Sequence, residues 1–414
     1  MHFLKYVAGD SVAREKTSWG MDCIFYPKRQ FGEKMAMLVV PFGANATGLK
    51  SEQNTVTFPK GIAHFIEHKL FQQKWGDAFI QFGKQGASAN AFTDGEKTVY
   101  YFVCRERFDE NLKLLLDFVQ HPVFAEKDVE REKEIICSEI AMYDDDPGWA
   151  VYYQMMEQMY PDHPIHTPIA GTEKSVRETK AADLKMVYEA AYLPQKFCLV
   201  CSGNIQPRKI MALAEQVQPK KEMGQIQWQN AENQNVKLRA MRDMDLKRPL
   251  FQMGIPLQIE QTFDLRQKIA FEILLDIWAG ESSLFYEQAY QKKWLDTPLG
   301  SRYLQGRGYA FCAFFGSGKH GDAIKEALQN RMKDMKQNGI ADNDFERIQK
   351  KYIGQVLRTF QSVSDLCMAQ AEICQYQSDL SDLFRMSKDL HKTDVEKLLQ
   401  NMPVEDKMVL SIIK

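Results

Sequence analysis

Two histidines and a glutamate lie within five positions of the stretch GIAHFIEHKLF, residues 61–71. On a helix, His64, Glu67 and His68 occupy positions i, i+3 and i+4 and project from one face. Two imidazoles four residues apart can bind one tetrahedral metal ion, and the carboxylate between them can hold a water at that ion. The order H-x-x-E-H is the inverse of the commoner H-E-x-x-H zinc helix. Two surface histidines beside a glutamate are the alternative interpretation.

A catalytic zinc usually takes a third protein ligand, and VEREKEIICSEIAMYDDDP, residues 129–147, offers a candidate. Glu132 and Glu139 are seven apart, so they nearly superpose on a helix, along an apolar stripe that includes Ile135 and lies opposite Lys133. A buried carboxylate needs a partner because desolvating its charge is costly. We predict that Glu139 is the third ligand and that Glu132 orients a ligand or is a spare one. A salt bridge to a neighbouring Arg or Lys is the alternative.

A second histidine pair lies in DHPIHTP, residues 162–168. His163 and His166 are separated by Pro164 and followed by Pro168, which predicts a loop without a positioned base. This pair is therefore the weaker metal-site candidate.

The elements that must position these residues are predicted twice along the chain. Each half follows the order strand, helix, strand, helix, long helical region and closing strand, and the first long helical region covers about residues 126–160. We expect an α+β fold of two similar tandem domains, each a mostly antiparallel sheet packed with helices. Between them lies a polar, Gln/Asn-rich stretch. The predicted boundaries are residues 1–218, a linker at 219–245, and residues 246–414.

Composition excludes several function classes. The 414 residues are 44% hydrophobic and 26% charged, with a formal net charge of −2, so no basic surface for nucleic acid or for membrane lipids is indicated. No signal peptide and no long apolar run is evident, which predicts a cytoplasmic protein without a membrane span. The eight cysteines are scattered, which predicts reduced thiols. Cys198 and Cys201 lie on a predicted strand whose i and i+3 side chains point to opposite faces, so we interpret them as small core residues.

Several stretches together resemble the pitrilysin/insulinase family of inverted zinc metallopeptidases, in particular its half-length bacterial members. They are GIAHFIEHKLF, QGASANAFTDGEKTVYYF, EREKEIICSEIAMYDDDPGW, HPIHTPIAGT and the strand ending SGNI. Glu139 follows His68 by 71 positions (139 − 68 = 71), a separation similar to the one between the second and third ligands of the family.

The resemblance implies that His64, His68 and Glu139 bind one Zn²⁺ per chain. It implies that Glu67 is the general base for the attacking water and that Glu132 matches the accessory glutamate of the family. The two domains would form half of a clamshell that admits short unfolded peptides and excludes folded proteins.

The resemblance also implies that SANAF, residues 88–92, is an edge strand to which a peptide substrate adds itself as a further strand. Such addition reads the peptide backbone, so it selects extended peptides and tolerates varied sequence. The substrate-binding candidates are Ala89, Asn90, Ala91 and Phe92.

One departure from the family concerns the second half of the chain. Relatives that complete their own site carry an arginine and, seven residues later, a tyrosine, which hold the substrate and its tetrahedral intermediate. At the matching place this chain has Tyr290 and Thr297. Arg302 and Tyr309 have the same spacing, but they fall in a later turn and strand.

We therefore predict a zinc endopeptidase for short unfolded peptides or leader and precursor peptides, completed by a second, related chain that carries the Arg/Tyr pair. A homodimer that is complete by itself, a non-catalytic assembly subunit that keeps the fold, and a purely structural zinc are the alternatives.

Overall fold

The chain forms two α+β units, and each unit takes segments from both halves of the sequence. The first consists of Met1–Ile140, Thr167–Trp228 and Val356–Ser381, and the second of Ala141–His166, Gln229–Gln355 and Asp382–Lys414. This computed structural model describes residues 3–7, 10–52, 54–231, 237–258, 264–403 and 407–414. The predicted α+β fold with two sheet-and-helix units is confirmed.

The strands are β1 (Phe3–Val7), β2 (Asp10–Lys16), β3 (Asp22–Pro27), β4 (Lys34–Val40), β5 (Ala46–Lys50), β6 (Thr55–Thr57), β7 (Gln72–Gln73), β8 (Gly76–Asp77), β9 (Ala87–Thr93), β10 (Thr98–Cys104), β11 (Cys198–Gly203), β12 (Gln225–Trp228), β13 (Arg239–Arg242), β14 (Leu250–Pro256), β15 (Gly300–Gly306), β16 (Tyr309–Ser317) and β17 (Val409–Ile413). The helices are α1 (Ile62–Leu70), α2 (Ala78–Lys84), α3 (Phe108–Gln120), α4 (Glu126–Asp144), α5 (Pro147–Met159), α6 (Glu173–Glu178), α7 (Ala181–Ala191), α8 (Pro207–Ala214), α9 (Leu265–Ala279), α10 (Leu284–Gln291), α11 (Gly321–Asn338), α12 (Asp342–Thr359), α13 (Val363–Ile373), α14 (Leu380–Lys388) and α15 (Lys392–Asn401).

The first unit is built on a sheet with the strand order β1-β2-β3-β11-β4-β10-β9. Its strands pair antiparallel except for β11 and β3, which are parallel. Alternation along β3 gives the sheet two buried faces. Phe25 joins the large apolar cluster that includes residues of α1, α3 and α7, whereas Tyr26 donates a hydrogen bond of 2.5 Å to Gln370 of α13. The sheet is therefore covered by helices on both sides.

The second unit has the strand order β13-β17-β14-β16-β15, antiparallel except for β13 with β17. Helix α5 packs on β14 and β17. Its Met155, Met156 and Met159 form an apolar cluster with Phe311 and Val409. Flexible methionine side chains fill irregular space between a helix and a twisted sheet.

The predicted helical region at 126–160 is two helices, α4 and α5, and the division between the units falls after Ile140, in the last part of α4. Asp146 caps α5 by accepting a 2.9 Å hydrogen bond from the backbone N–H of Trp149, and Pro147 occupies the first turn. Thus α5, from the first half of the chain, packs in the second unit, while α13, from the second half, packs in the first.

Two further observations concern the predicted linker and membrane contact. Within residues 219–245, β12 pairs with β5 and β13 pairs with β17, while residues 232–236 lie outside the described residues. None of the helices in the described part of the chain combines the length and apolar character that a membrane span requires.

Candidate metal centre

Helix α1, which carries the H-x-x-E-H motif, begins at a close crossing of two backbone segments. Gly61, its N-cap, has a left-handed φ of 84°, and a Cβ there would meet the carbonyl oxygen of Ala170 at 2.2 Å. Gly171 also has a positive φ, and its Cβ would meet the carbonyl oxygen of Lys60 at 2.5 Å. Glycine is therefore required on both segments, so the stretches GIAHFIEHKLF and HPIHTPIAGT depend on each other.

Helix α1 places the three motif side chains on one face, as their spacing predicts. The rings of His64 and His68 have centroids 4.5 Å apart. His64 and Glu67 are each 8% exposed, so both polar groups lie inside the first unit.

Helix α4 brings Glu139 to the two histidines. Its carboxylate oxygens lie 3.7 Å from Nε2 of His64 and 3.5 Å from Nε2 of His68. Among the described residues, these three form a group whose ligand atoms all lie within 4.8 Å of one another. Ligands on a tetrahedral zinc with bonds of about 2.0–2.2 Å are roughly 3.3–3.6 Å apart. The two histidine–glutamate distances are close to this range, and two imidazoles with one carboxylate are a donor set that fits a catalytic zinc.

Glu132, two turns before Glu139 on α4, contacts the second histidine from behind. Nδ1 of His68 lies 3.0 Å from its Oε1 atom, which sets the proton on Nδ1 and leaves Nε2 with a lone pair for a metal. The side-chain amide of Gln72 donates to the other oxygen of Glu132. The buried Lys69 in turn donates to Gln72 at 2.5 Å. Glu132 therefore orients a candidate ligand, one of its two predicted roles.

The surroundings of the α4 carboxylates differ from the prediction in two residues. Ile135, expected on the buried stripe, is 48% exposed, and Lys133, expected opposite it, is buried. The ammonium group of Lys133 donates to Glu130 at 2.6 Å and to the backbone carbonyl of Arg177 at 2.9 Å. Because Arg177 lies in the last turn of α6, its carbonyl is at the negative end of that helix. Lys133 can thus bury its aliphatic stem while its charge is paired.

Burial and neighbouring charge set the protonation of the site. Burial, with the charge of His68, lowers the pKa of His64 to about 3, so His64 is neutral and able to bind a cation. Burial raises the pKa of Glu67 above its ordinary value, against the hydrogen bond from Thr93, which lowers it. Burial lowers the pKa of His68. The hydrogen bond to Glu132 and the charges of three nearby carboxylates raise it by more, so the pKa of His68 is raised.

The substrate-binding candidates lie on β9, at one end of the strand order of the described sheet. Ala89 and Ala91 pack their side chains against the core, whereas Asn90 is exposed. Oδ1 of Asn90 accepts a hydrogen bond of 2.8 Å from the backbone N–H of Ala91. Phe92 is half-buried. A peptide strand that pairs with Ala91 must displace the Asn90 side chain.

Sequence reasoning missed two polar residues that contact carboxylates of the candidate metal centre. Thr93 follows Phe92 and donates from Oγ1 to Oε2 of Glu67 at 2.6 Å. Alternation along β9 places Thr93 on the same face as Ala89 and Ala91, so it is the first polar side chain on the face toward α1. Strand periodicity is a signal that could have found it. Gln72 contacts Glu132 from the short β7–β8 hairpin, for which the sequence carries no comparable signal.

The second histidine pair, His163 and His166, makes structural contacts within the second unit. His163 is 1% exposed, its Nδ1 accepts from the backbone N–H of Ile165 at 3.1 Å, and its ring packs against Tyr309. Nδ1 of His166 lies 3.2 Å from the carbonyl oxygen of Tyr160. In the described part of the chain, neither belongs to a group of three metal-ligand side chains.

The two Arg/Tyr alternatives also lie in the second unit. Tyr290 is 72% exposed at the end of α10, and the hydroxyl of Thr297 lies 3.2 Å from that of Ser317. Arg302 is exposed on β15 with its guanidinium 5.0 Å from the ring centre of Phe315. Tyr309, in contrast, is 3% exposed within the apolar cluster. Arg302 and Tyr309 therefore have different environments within this unit.

Comparison with family models gives two matches. Residues 54–173 match "Insulinase (Peptidase family M16)", and residues 179–352 match "Peptidase M16 inactive domain". The first range contains all the residues of the candidate metal centre.

Individual relatives cover nearly the whole chain. A Bacillus subtilis protein named as an uncharacterized zinc protease, YmfH, is 31% identical over 412 residues, 97% of this chain and 96% of its own length. A crystal structure of a candidate M16-like peptidase from Alicyclobacillus acidocaldarius is 25% identical, with a TM-score of 0.93 over 99% of both chains. The periplasmic protease PqqL from Escherichia coli is 14% identical and has the same fold, with a TM-score of 0.77. The alignment covers all of this chain and 48% of the PqqL chain.

Proposed function

The chain belongs to the insulinase family, peptidase family M16, and on that premise we propose that it is a zinc-dependent endopeptidase whose metal ligands are His64, His68 and Glu139. The observation that carries this proposal is the position of Glu67 between the two histidines of a group that fits tetrahedral zinc. A structural zinc site usually closes with a fourth protein ligand and has no use for a buried carboxylate at that place.

When bound, zinc supplies a Lewis acid that polarises a peptide carbonyl and makes water more acidic. Glu67 accepts the proton of the attacking water and passes it to the leaving amine. Its burial raises its pKa, which makes it a stronger base than an exposed glutamate. Thr93 holds one oxygen of this carboxylate, so the other can face the water. Glu132 fixes the ring of His68.

We propose that the substrate is an extended peptide that pairs with the free edge of β9. Its position at the end of the sheet and the small side chains at Ala89 and Ala91 support this mode, because a peptide strand needs backbone access. Short unfolded peptides, including leader or precursor peptides, satisfy that requirement.

We further propose that a second, related chain completes the site by supplying an arginine and a tyrosine to the tetrahedral intermediate. The replacement of this pair by Tyr290 and Thr297, and the burial of Tyr309, support the proposal. An oxyanion stabiliser is worth roughly 3–4 kcal/mol, and a peptidase needs one. A cytoplasmic location is proposed with it, since the eight cysteines are unpaired.

The test combines metal analysis with a chelator-sensitive peptidase assay on the full chain, with and without related chains. We expect the chain alone to bind one zinc ion and to cleave an unstructured reporter peptide slowly, and a related chain that carries the pair to raise the rate. Full activity alone would show that it is a complete homodimer or monomer. Zinc binding without activity in any combination would indicate an assembly subunit and refute the peptidase proposal.

A further inference from the structure

Two cysteines distant in sequence meet on the face of the first unit's sheet that α13 covers. Sγ of Cys198, on β11, lies 3.1 Å from Sγ of Cys374, in the 3₁₀ turn that follows α13. Both residues are half-buried, and both are free thiols. A disulfide bond needs about 2.05 Å between the sulfurs, so only a small movement separates this pair from a covalent bond.

Cys201 and Cys367, which also lie nearby, lack this geometry. Cys201 lies on the opposite face of β11, inside the apolar cluster, and is fully buried. Cys367, on α13 and about two turns before Cys374 in the chain, is also fully buried. Cys198 and Cys201, the C-x-x-C cysteines, are therefore not the relevant pair. The strand directs the thiol of Cys201 toward the apolar cluster and that of Cys198 toward α13.

Polar contacts make Cys374 the more reactive member. The side-chain amide of Gln370 donates to its sulfur at 3.7 Å. The hydrogen bonds with Cys198 and with Gln370, together with the charge of Lys97, lower the pKa of Cys374, against burial and the charge of Asp22. The pKa of Cys198 is raised, chiefly by its hydrogen bond with Cys374 and by burial. Cys374 therefore loses its proton more readily than Cys198 does.

We propose that Cys374 and Cys198 form a peroxide-reactive modification site that closes to a disulfide and fastens α13 to the sheet of the first unit. The thiolate of Cys374 attacks one oxygen of hydrogen peroxide, the O–O bond breaks, and hydroxide leaves, which gives a sulfenic acid. The sulfur of Cys198 then attacks that sulfur, the S–O bond breaks, and the leaving hydroxide takes the proton of Cys198. The two thiols lose two electrons, and the peroxide becomes two molecules of water.

The consequence is a covalent connection between the two halves of the sequence. The residues are 176 positions apart, so the disulfide closes a long loop. Closing a long loop restricts the unfolded chain, so the oxidised protein should melt at a higher temperature than the reduced one.

The test uses the full chain, reduced and then treated with graded hydrogen peroxide, with free thiols blocked before digestion without reductant. Trypsin leaves Cys198 with Cys201 on one peptide, residues 197–208, and Cys367 with Cys374 on another, residues 359–385. Fragment-ion mass spectrometry must therefore locate the bond. We expect a Cys198–Cys374 link that dithiothreitol reverses, and a rise in melting temperature that appears with it.

Variants separate this site from its neighbours. Cys201→Ala and Cys367→Ala should keep the cross-link, and Cys198→Ser and Cys374→Ser should lose both it and the rise in melting temperature. The proposal is overturned if peroxide converts Cys374 of the wild-type chain to sulfinic acid without a cross-link, if the bond maps to Cys201 or Cys367, or if neither thiol reacts. Mapping on the wild-type chain decides the matter even if a variant fails to fold.

Discussion

The hydroxyl of Thr93 donates a hydrogen bond of 2.6 Å to the carboxylate of Glu67. Thr93 is the last residue of edge strand β9, and Glu67 lies between the two histidines on α1. This bond therefore joins the strand proposed to bind the peptide to the proposed general base. The bond fixes one carboxylate oxygen of Glu67. It also lowers the pKa of Glu67, whereas burial raises that pKa.

Replacing Thr93 with valine keeps the shape and removes the donor. We expect Thr93→Val to lower kcat about tenfold or more, because a hydrogen bond to a charged group is worth about 1.5–3 kcal/mol. Losing the bond raises the pKa of Glu67, and a general base works above its pKa. The acidic limb of the pH profile of kcat/KM should therefore move to higher pH, which steady-state assays at constant zinc content measure.

Thr93→Ser is the matched control, since serine keeps a hydroxyl at the same place. It should restore most of the rate and the wild-type acidic limb. A Thr93→Val enzyme whose pH profile is unchanged would show that the bond does not act on the base.

Glu67→Gln tests the base directly. The amide has nearly the same size but cannot accept the proton of water, so turnover should fall by about 10²–10⁴-fold. None of the three ligands is altered, so the zinc content by elemental analysis should match the wild type. Normal cleavage by the variant would remove Glu67 from the mechanism, and loss of zinc would instead indicate that Glu67 is a ligand.

Glu132→Gln weakens the carboxylate that orients His68. Partners of this kind typically contribute 10–100-fold to metal affinity, and we expect about that loss in competition with a chelator. His64→Ala should abolish binding altogether. Glu126→Gln, on the same helix and exposed, is the control and should bind like the wild type. Equal losses for Glu126→Gln and Glu132→Gln would point to a general effect on α4.

What the sequence could predict depended on how local the signal was. The motif spacing placed His64, Glu67 and His68 on one helical face without tertiary information, and the carboxylates of an apolar helix indicated that Glu132 and Glu139 needed partners. The contact of Thr93 with Glu67 depends on how β9 packs against α1. The contact of Gln72 with Glu132 depends on the pairing of the two-residue strands β7 and β8. Lys133 can be buried because a backbone carbonyl of α6 lies beside it. The periodicity of α4 carries no information about that contact.

The packing of α5 in the second unit and of α13 in the first was harder still to predict from the sequence. A prediction from chain order assigns each helix to the nearest sheet in sequence. The break at Asp146 and Pro147 is visible as a cap followed by proline, but the surface on which α5 packs is decided by β14 and β17, about a hundred or more residues later.

Backbone recognition by β9 predicts a particular response to modified peptides. In a strand added to an edge, alternate N–H groups of the peptide point toward the protein. N-methylation of a reporter peptide at those positions should raise KM about tenfold or more, because each removes a donor and adds bulk, whereas methylation at the intervening positions should have little effect. Kinetics on a series methylated one residue at a time measure this. A uniform response would contradict strand addition.

Gly61 tests whether the backbone crossing before α1 supports the metal centre. Alanine there must adopt a left-handed φ, which costs about 1–2 kcal/mol, and its Cβ would meet the carbonyl oxygen of Ala170 at 2.2 Å, so one segment must move. We expect Gly61→Ala to lower the melting temperature and to weaken zinc binding, because α1 carries two ligands. The matched control is Gly83→Ala within α2, where a Cβ meets no atom within 4 Å and helix propensity favours alanine by about 0.5–1 kcal/mol. That variant should melt at or above the wild-type temperature with unchanged zinc affinity. If both variants melt alike, the crossing is not a constraint on α1, and the dependence between the two stretches has another origin.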